Sequence, residues 1–176
     1  LLYLRHHLKA KEPDALVTLS EVHLRWADEA RQWVEPVRET RGPRRAFLAP
    51  RSLGKSTWWF LLLPMWAAAH GHVKFIAAFA DTATQAEGHL ETFRRELESN
   101  AVLRSDFPEL CAPSRRRGGA TVADNRGAMQ TGSGFVFTAR GVDSGNLGMK
   151  VADRRPDLII CDDLEPGESN YSTAQA

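Results

Sequence analysis

The segment Ala49-Pro50-Arg51-Ser52-Leu53-Gly54-Lys55-Ser56-Thr57 constrains this chain more than any other, because it fits the phosphate-cradling pattern A/G-x-x-x-x-G-K-S/T. Triphosphate oxygens need several donors converging from one side, and successive backbone N–H groups winding into a helix N-terminus supply them. Gly54 lets the backbone come close, and Lys55 places an ammonium against the β- and γ-phosphates. The Ser56 hydroxyl is the candidate Mg²⁺ ligand, ahead of Thr57. The loop from Pro50 through Arg51, Ser52 and Leu53 to Thr57 is then the candidate ATP contact. Its flanks support the reading. Residues 44–49 read as a short buried strand led in by a Gly42-Pro43 turn, and residues 58–69 as an apolar helix packed behind the loop. Trp58, Trp59, Phe60 and Trp66 are expected in the core, with Pro64 kinking or ending the helix. The apolar run is too short to cross a bilayer, which takes roughly 20 residues.

A nucleoside triphosphatase also needs a carboxylate for Mg²⁺ and a second one for the attacking water, both best placed where a buried strand emerges. Arg155-Pro156-Asp157-Leu158-Ile159-Ile160-Cys161-Asp162-Asp163-Leu164-Glu165 offers that arrangement. Its four consecutive apolar residues predict a strand buried on both faces. Asp162 is the metal-side carboxylate. Asp163 and Glu165 compete for the water-activating role, and on a continuing strand those two share a face while Asp162 points the other way. Asp163 is favoured if the chain has left the strand by Glu165, as Pro166-Gly167 suggests.

In order along the chain, these residues resemble the large terminase subunit of tailed bacteriophages, the ATPase that drives DNA into a preformed capsid. The phosphate loop carries an early Arg, as many loops of that family do, and Lys74-Phe75-Ile76-Ala77-Ala78-Phe79-Ala80 with residues 82–98 looks like its second strand and following helix. Residues 100–110 follow, ending Asp106-Phe107-Pro108-Glu109-Leu110. Ala139-Arg140-Gly141 then leads through Gly145 and Gly148 to Arg155-Pro156-Asp157 and the Asp162-Asp163 pair. The resemblance covers roughly residues 40–170 and implies an α/β P-loop NTPase of the additional-strand type, with a mostly parallel central sheet between helices. It nominates Arg51 as an arginine finger acting in cis. It also implies ATP and Mg²⁺ as substrate and cofactor, and double-stranded DNA, a portal and a small terminase subunit as partners. A homo-oligomeric ring and the bacterial host's cytoplasm are further expectations. In that fold one more strand, carrying the coupling motif, lies between the phosphate-loop strand and the acidic strand. No segment before Ala176 supplies it with assurance, and Tyr171-Ser172-Thr173-Ala174 lies too near the acidic cluster. The expectation is therefore a partial domain, residues 41–176, without the family's nuclease domain and preceded by a helical segment, residues 1–40.

With 176 residues and 43% hydrophobic content the chain has room for one core. A formal charge of +1 gives no bulk pull toward nucleic acid, so any DNA contact must be local. The Arg115-Arg116-Arg117 run, between Pro113 and Gly118-Gly119, is the main candidate loop, with Arg44-Arg45 and Arg154-Arg155 as lesser patches. Cys111 and Cys161 form neither a CxxC nor a zinc pattern, and the six histidines show no ligand spacing and receive no role. Ser20-Glu21 opens an amphipathic stretch to Val34, with Val22, Leu24, Trp26, Ala27, Ala30 and Trp33 on its apolar side. Residues 81–99 read as a helix capped by Asp81 or Thr82, 111–130 as irregular, and 134–138 as a strand. A helicase-like motor and a non-catalytic, nucleotide-dependent assembly module are the competing functions.

Overall fold

The computed structural model describes residues 19–34, 44–116, 118–122, 124–142, 151 and 154–164. Glu165, Arg117, Gly145 and Gly148 lie outside the described residues, as do the Gly42-Pro43 turn and all of residues 1–18 and 165–176. Within them the chain forms a four-stranded, mostly parallel open sheet between helices, in the order β2-β3-β1-β4. Helix α1 (Glu21–Ala30) continues into a 3₁₀ turn (Arg31–Val34). A π-helical turn (Thr57–Leu62) runs into α2 (Leu63–Ala69) and is followed by β1 (Phe75–Ala80). Next come α3 (Ala83–Ser99), α4 (Ala101–Asp106) and α5 (Pro108–Cys111). Strands β2 (Ala128–Gln130), β3 (Val136–Gly141) and β4 (Leu158–Asp162) complete the sheet.

β1 is the buried centre. Phe75, Ile76, Ala77 and Ala78 are fully buried, and β1 pairs in parallel with both β3 and β4, as strands flanked by crossovers do. Ala80 stands opposite Gly141 on one side and Asp162 on the other, so three strand ends come level. The β1/β4 register is pinned by Asp157: its Oδ2 accepts from the Lys74 and Phe75 N–H groups, both at 2.9 Å, while its own N–H donates to the Phe75 carbonyl at 2.9 Å. α3 packs across β3 and β1 through Ala86, Leu90, Phe93 and Leu97, all buried. Thr82, not Asp81, caps α3, its hydroxyl accepting from the Gln85 N–H at 3.2 Å. Asn100, almost wholly buried, ends α3 and caps α4, accepting from the Leu103 N–H at 3.0 Å and donating to the Glu96 carboxylate at 2.6 Å.

Several expectations change here. Residues 44–49 form no strand: Leu48 is fully exposed, and only Phe47 and Ala49 pack against the core. Extended chain becomes a ladder only beside a partner, and no strand among the described residues lies next to it. β4, at one edge of the sheet, is buried on one face rather than two; Ile160 and Asp162 turn inward while Ile159 and Cys161 face out. Pro64 does not end its helix. The widened turn before it carries a Leu63 N–H bond to the Trp58 carbonyl, five residues back, which accommodates a residue that cannot donate and crowds the preceding turn. Trp58, Trp59 and Phe60 are buried as expected, whereas Trp66 is only half-buried, beside His70 and His72. In α1, Val22 and Leu24 are exposed; the inward stripe is His23, Trp26, Ala27 and Ala30.

Candidate functional site

The candidate phosphate loop sits at the N-terminus of the buried helix that begins at Lys55, with two residues in the left-handed region, Ser52 at φ 69° and Gly54 at φ 73°. Gly54 adopts that conformation without cost. The Gly54 carbonyl then starts the helix by accepting from the Trp58 N–H at 3.0 Å. Pro50, Arg51, Ser52 and Ser56 are exposed, and Leu53, Lys55 and Thr57 half-buried, so the loop offers its polar groups outward. Arg51 has no ion pair with any carboxylate among the described residues.

A second element meets this loop. β4 ends at Asp162, whose side chain is 6% exposed, and Lys55 reaches it across the sheet end: Nζ lies 3.0 Å from Asp162 Oδ1 and 3.3 Å from Asp163 Oδ1. The hydrogen bond to Asp162 chiefly raises the Lys55 pKa above its ordinary value, against a smaller opposing effect of burial, so the ammonium stays charged throughout the neutral range. The second carboxylate behaves otherwise than strand alternation predicts. Asp163 has φ 41°, so the chain has already left the strand, and Asp162 and Asp163 converge on one ammonium instead of pointing to opposite faces. Asp163 remains 75% exposed.

Two histidines without a role by ligand spacing belong to this site. His89, on α3, places Nε2 at 3.1 Å from Asp162 Oδ2, so each oxygen of the buried carboxylate has its own partner. Its ring stacks on Phe60 at 4.1 Å, and burial lowers its pKa despite the neighbouring carboxylate. His23, on α1, bonds to the loop itself. Its Nδ1 accepts from the Ser20 N–H at 3.1 Å, which assigns the proton to Nε2, and Nε2 donates to the Leu53 carbonyl at 2.9 Å. The same ring stacks on Trp58 at 5.0 Å, and Trp26, Trp33 and Phe47 pack around Trp58 and Trp59. A ligand-spacing search passes over both residues. Helical spacing finds them: His89 is three residues from Ala86 and four from Phe93, and His23 three from Trp26, each on a buried face.

Arg115 and Arg116 are exposed and lie far along the chain from this cluster, in a hairpin-like turn where Arg115 bridges Thr121 and the Arg116 N–H donates to the Ala120 carbonyl at 2.8 Å. Gly141 has a steric reason: a Cβ there would lie 2.7 Å from the Ala83 nitrogen, where β3 passes the start of α3. No helix among the described residues is long and apolar enough to cross a membrane. Comparison of the chain with protein-family models, curated proteins and solved structures found no match.

Proposed function

We propose that this chain binds Mg·ATP at the loop around Lys55 and hydrolyses it as the ATPase portion of a phage DNA-packaging motor, the large terminase subunit. The observation that carries the nucleotide reading is the meeting of Lys55 and Asp162 at 3.0 Å, from segments more than a hundred residues apart in sequence. A phosphate loop and a buried strand-end carboxylate at one point are what phosphoryl transfer requires of a protein of this class. The motor reading rests on the ordered resemblance of residues 40–170.

The residues fit the metal. Mg²⁺ is held by one or two side chains, with waters and phosphate oxygens completing its shell. Among the described residues no group of three or more His, Cys, Asp and Glu could hold an ion unaided. Ser56, and Asp162 through water, would hold it, and the ion would supply charge neutralisation between the β- and γ-phosphate oxygens. The loop's N–H groups cradle the phosphates. Lys55 exchanges its carboxylate partners for β- and γ-phosphate oxygens, and Arg51, exposed beside the loop, is free to turn toward the γ-phosphoryl group. Release of Asp163 from Lys55 frees it to orient water, with Glu165 as the alternative.

A second reading, a nucleotide-dependent assembly module without turnover, has one observation in its favour. Asp163 is exposed and tied to Lys55 rather than held on the buried strand, so the water-activating group is not preorganised. Steady-state ATP hydrolysis with and without double-stranded DNA, for the wild type and Lys55→Ala, separates the readings. The motor predicts DNA-stimulated turnover that Lys55→Ala lowers by about a hundredfold or more. Tight Mg·ATP binding without turnover would replace it with the assembly module.

A further inference from the structure

We infer that His89 is a positioning residue for Asp162: from α3 it fixes the rotation of the carboxylate, holding Oδ2 inward so that Oδ1 is presented to the phosphate loop. The inference rests on the nucleotide-site reading. A carboxylate at a strand end has a broad, soft terminal torsion, and only a partner on one oxygen makes the other oxygen's direction definite. Lys55 alone cannot supply this in the working site, because its ammonium is the group that leaves for the phosphates. His89 Nε2, 3.1 Å from Oδ2, is the side-chain partner that stays.

The imidazole is itself held. Its side chain is 16% exposed, and its ring lies nearly parallel to Phe60, with centroids 4.1 Å apart and planes 20° apart. Phe60 belongs to the π-helical turn that follows the phosphate loop, so one side chain links three elements: the loop's own helix, α3, and the end of β4. A π-turn shifts the residues it contains around the helix axis relative to regular spacing. Here it sets Phe60 against α3, where the sequence also places His89. The arrangement is that of an outer partner which orients a metal-side carboxylate, and loss of such partners typically costs 10- to 100-fold in metal affinity.

The test uses His89→Phe, which keeps a ring for Phe60 and removes the donor, and His89→Gln, whose Nε2 can take the place of the imidazole Nε2. Affinity for a fluorescent ATP analogue is measured in Mg²⁺ and in EDTA, with Mn²⁺ binding to the nucleotide complex followed by electron paramagnetic resonance. kcat, KM and the thermal midpoint are measured alongside. His89→Phe is expected to leave metal-free nucleotide affinity near wild type while cutting the metal-dependent gain in affinity, Mn²⁺ affinity and kcat by about tenfold. His89→Gln should restore most of each. Wild-type metal dependence in His89→Phe overturns the inference and leaves the site reading intact. A glutamine variant as defective as phenylalanine, or losses that merely follow the thermal midpoint, also overturns it. Wild-type protein that shows no Mg·ATP binding sensitive to Lys55→Ala overturns both the inference and the reading beneath it.

Discussion

At the scale of single residues, the site is held by side chains whose value lies in where their second atom goes. His23 spends one ring nitrogen on Ser20 and the other on the Leu53 carbonyl, so α1 and the phosphate loop share an imidazole. His23→Phe keeps the stacking on Trp58 but leaves that carbonyl without its donor. The expected cost is about 1 kcal/mol, read as a lower urea midpoint; an unchanged midpoint would show that water replaces the bond. His89 makes a prediction in pH. Its pKa lies below its ordinary 6.5 in the folded protein because burial disfavours the charged ring. The unfolded chain therefore takes up a proton that the folded one refuses as pH falls below 6.5, and the stability His89 contributes is lost over that descent. Urea midpoints from pH 7.5 down to pH 5 should fall more steeply for wild type than for His89→Gln. Parallel curves would place the titration elsewhere. Lys55 shifts the opposite way, so it adds no pH dependence below the alkaline range.

At the scale of elements, close approach decides which residues are tolerated. β3 ends against the start of α3, and Gly141 is the contact point, its missing Cβ making room for the Ala83 nitrogen. Gly141→Ala forces backbone against backbone, with no flexible side chain to yield. The expected loss is about 1–3 kcal/mol, measurable by chemical denaturation, and a neutral substitution would mean that α3 can slide away from the sheet. Gly88, on the open face of α3, has nothing within 4 Å of an added Cβ and serves as the control. The π-turn at Thr57–Leu62 belongs to the same scale. A proline two residues beyond it would obstruct a regular helix, and the wider turn lets the helix continue while bringing Phe60 to His89.

At the scale of the whole molecule, protection should be graded across the sheet. β1, buried except for the half-buried Phe79 and paired on both sides, should hold the slowest-exchanging amides, whereas residues 44–49, with no ladder among the described residues, should exchange fastest of those flanking the site. Hydrogen exchange followed by mass spectrometry checks this, and Mg·ATP is expected to slow residues 50–57 first. Equal protection in residues 44–49 and β1 would mean that the phosphate-loop flank has found a strand partner in solution. The alternation along β4, inward at Ile160 and Asp162 and outward at Ile159 and Cys161, fits a sheet with one face uncovered at β4 among the described residues.

Local features were legible in the amino-acid sequence. The glycine and lysine of the loop, the apolar helix behind it and the strand ending in Asp162 follow from residue type and spacing, which act over a few neighbours, while the strand at Phe75–Ala80 is expected through the family resemblance. The sequence left the direction of Asp163 open, because strand alternation holds only while the strand lasts, and φ 41° at that residue ends it. It made residues 44–49 a strand because an apolar run cannot say whether a neighbour will pair with it. Tertiary structure alone decided which distant groups meet: Lys55 with Asp162, His89 with the far oxygen of that carboxylate, His23 with the loop carbonyl. Those contacts depend on sheet order and helix packing, which bring together groups whose separation along the chain carries no signal.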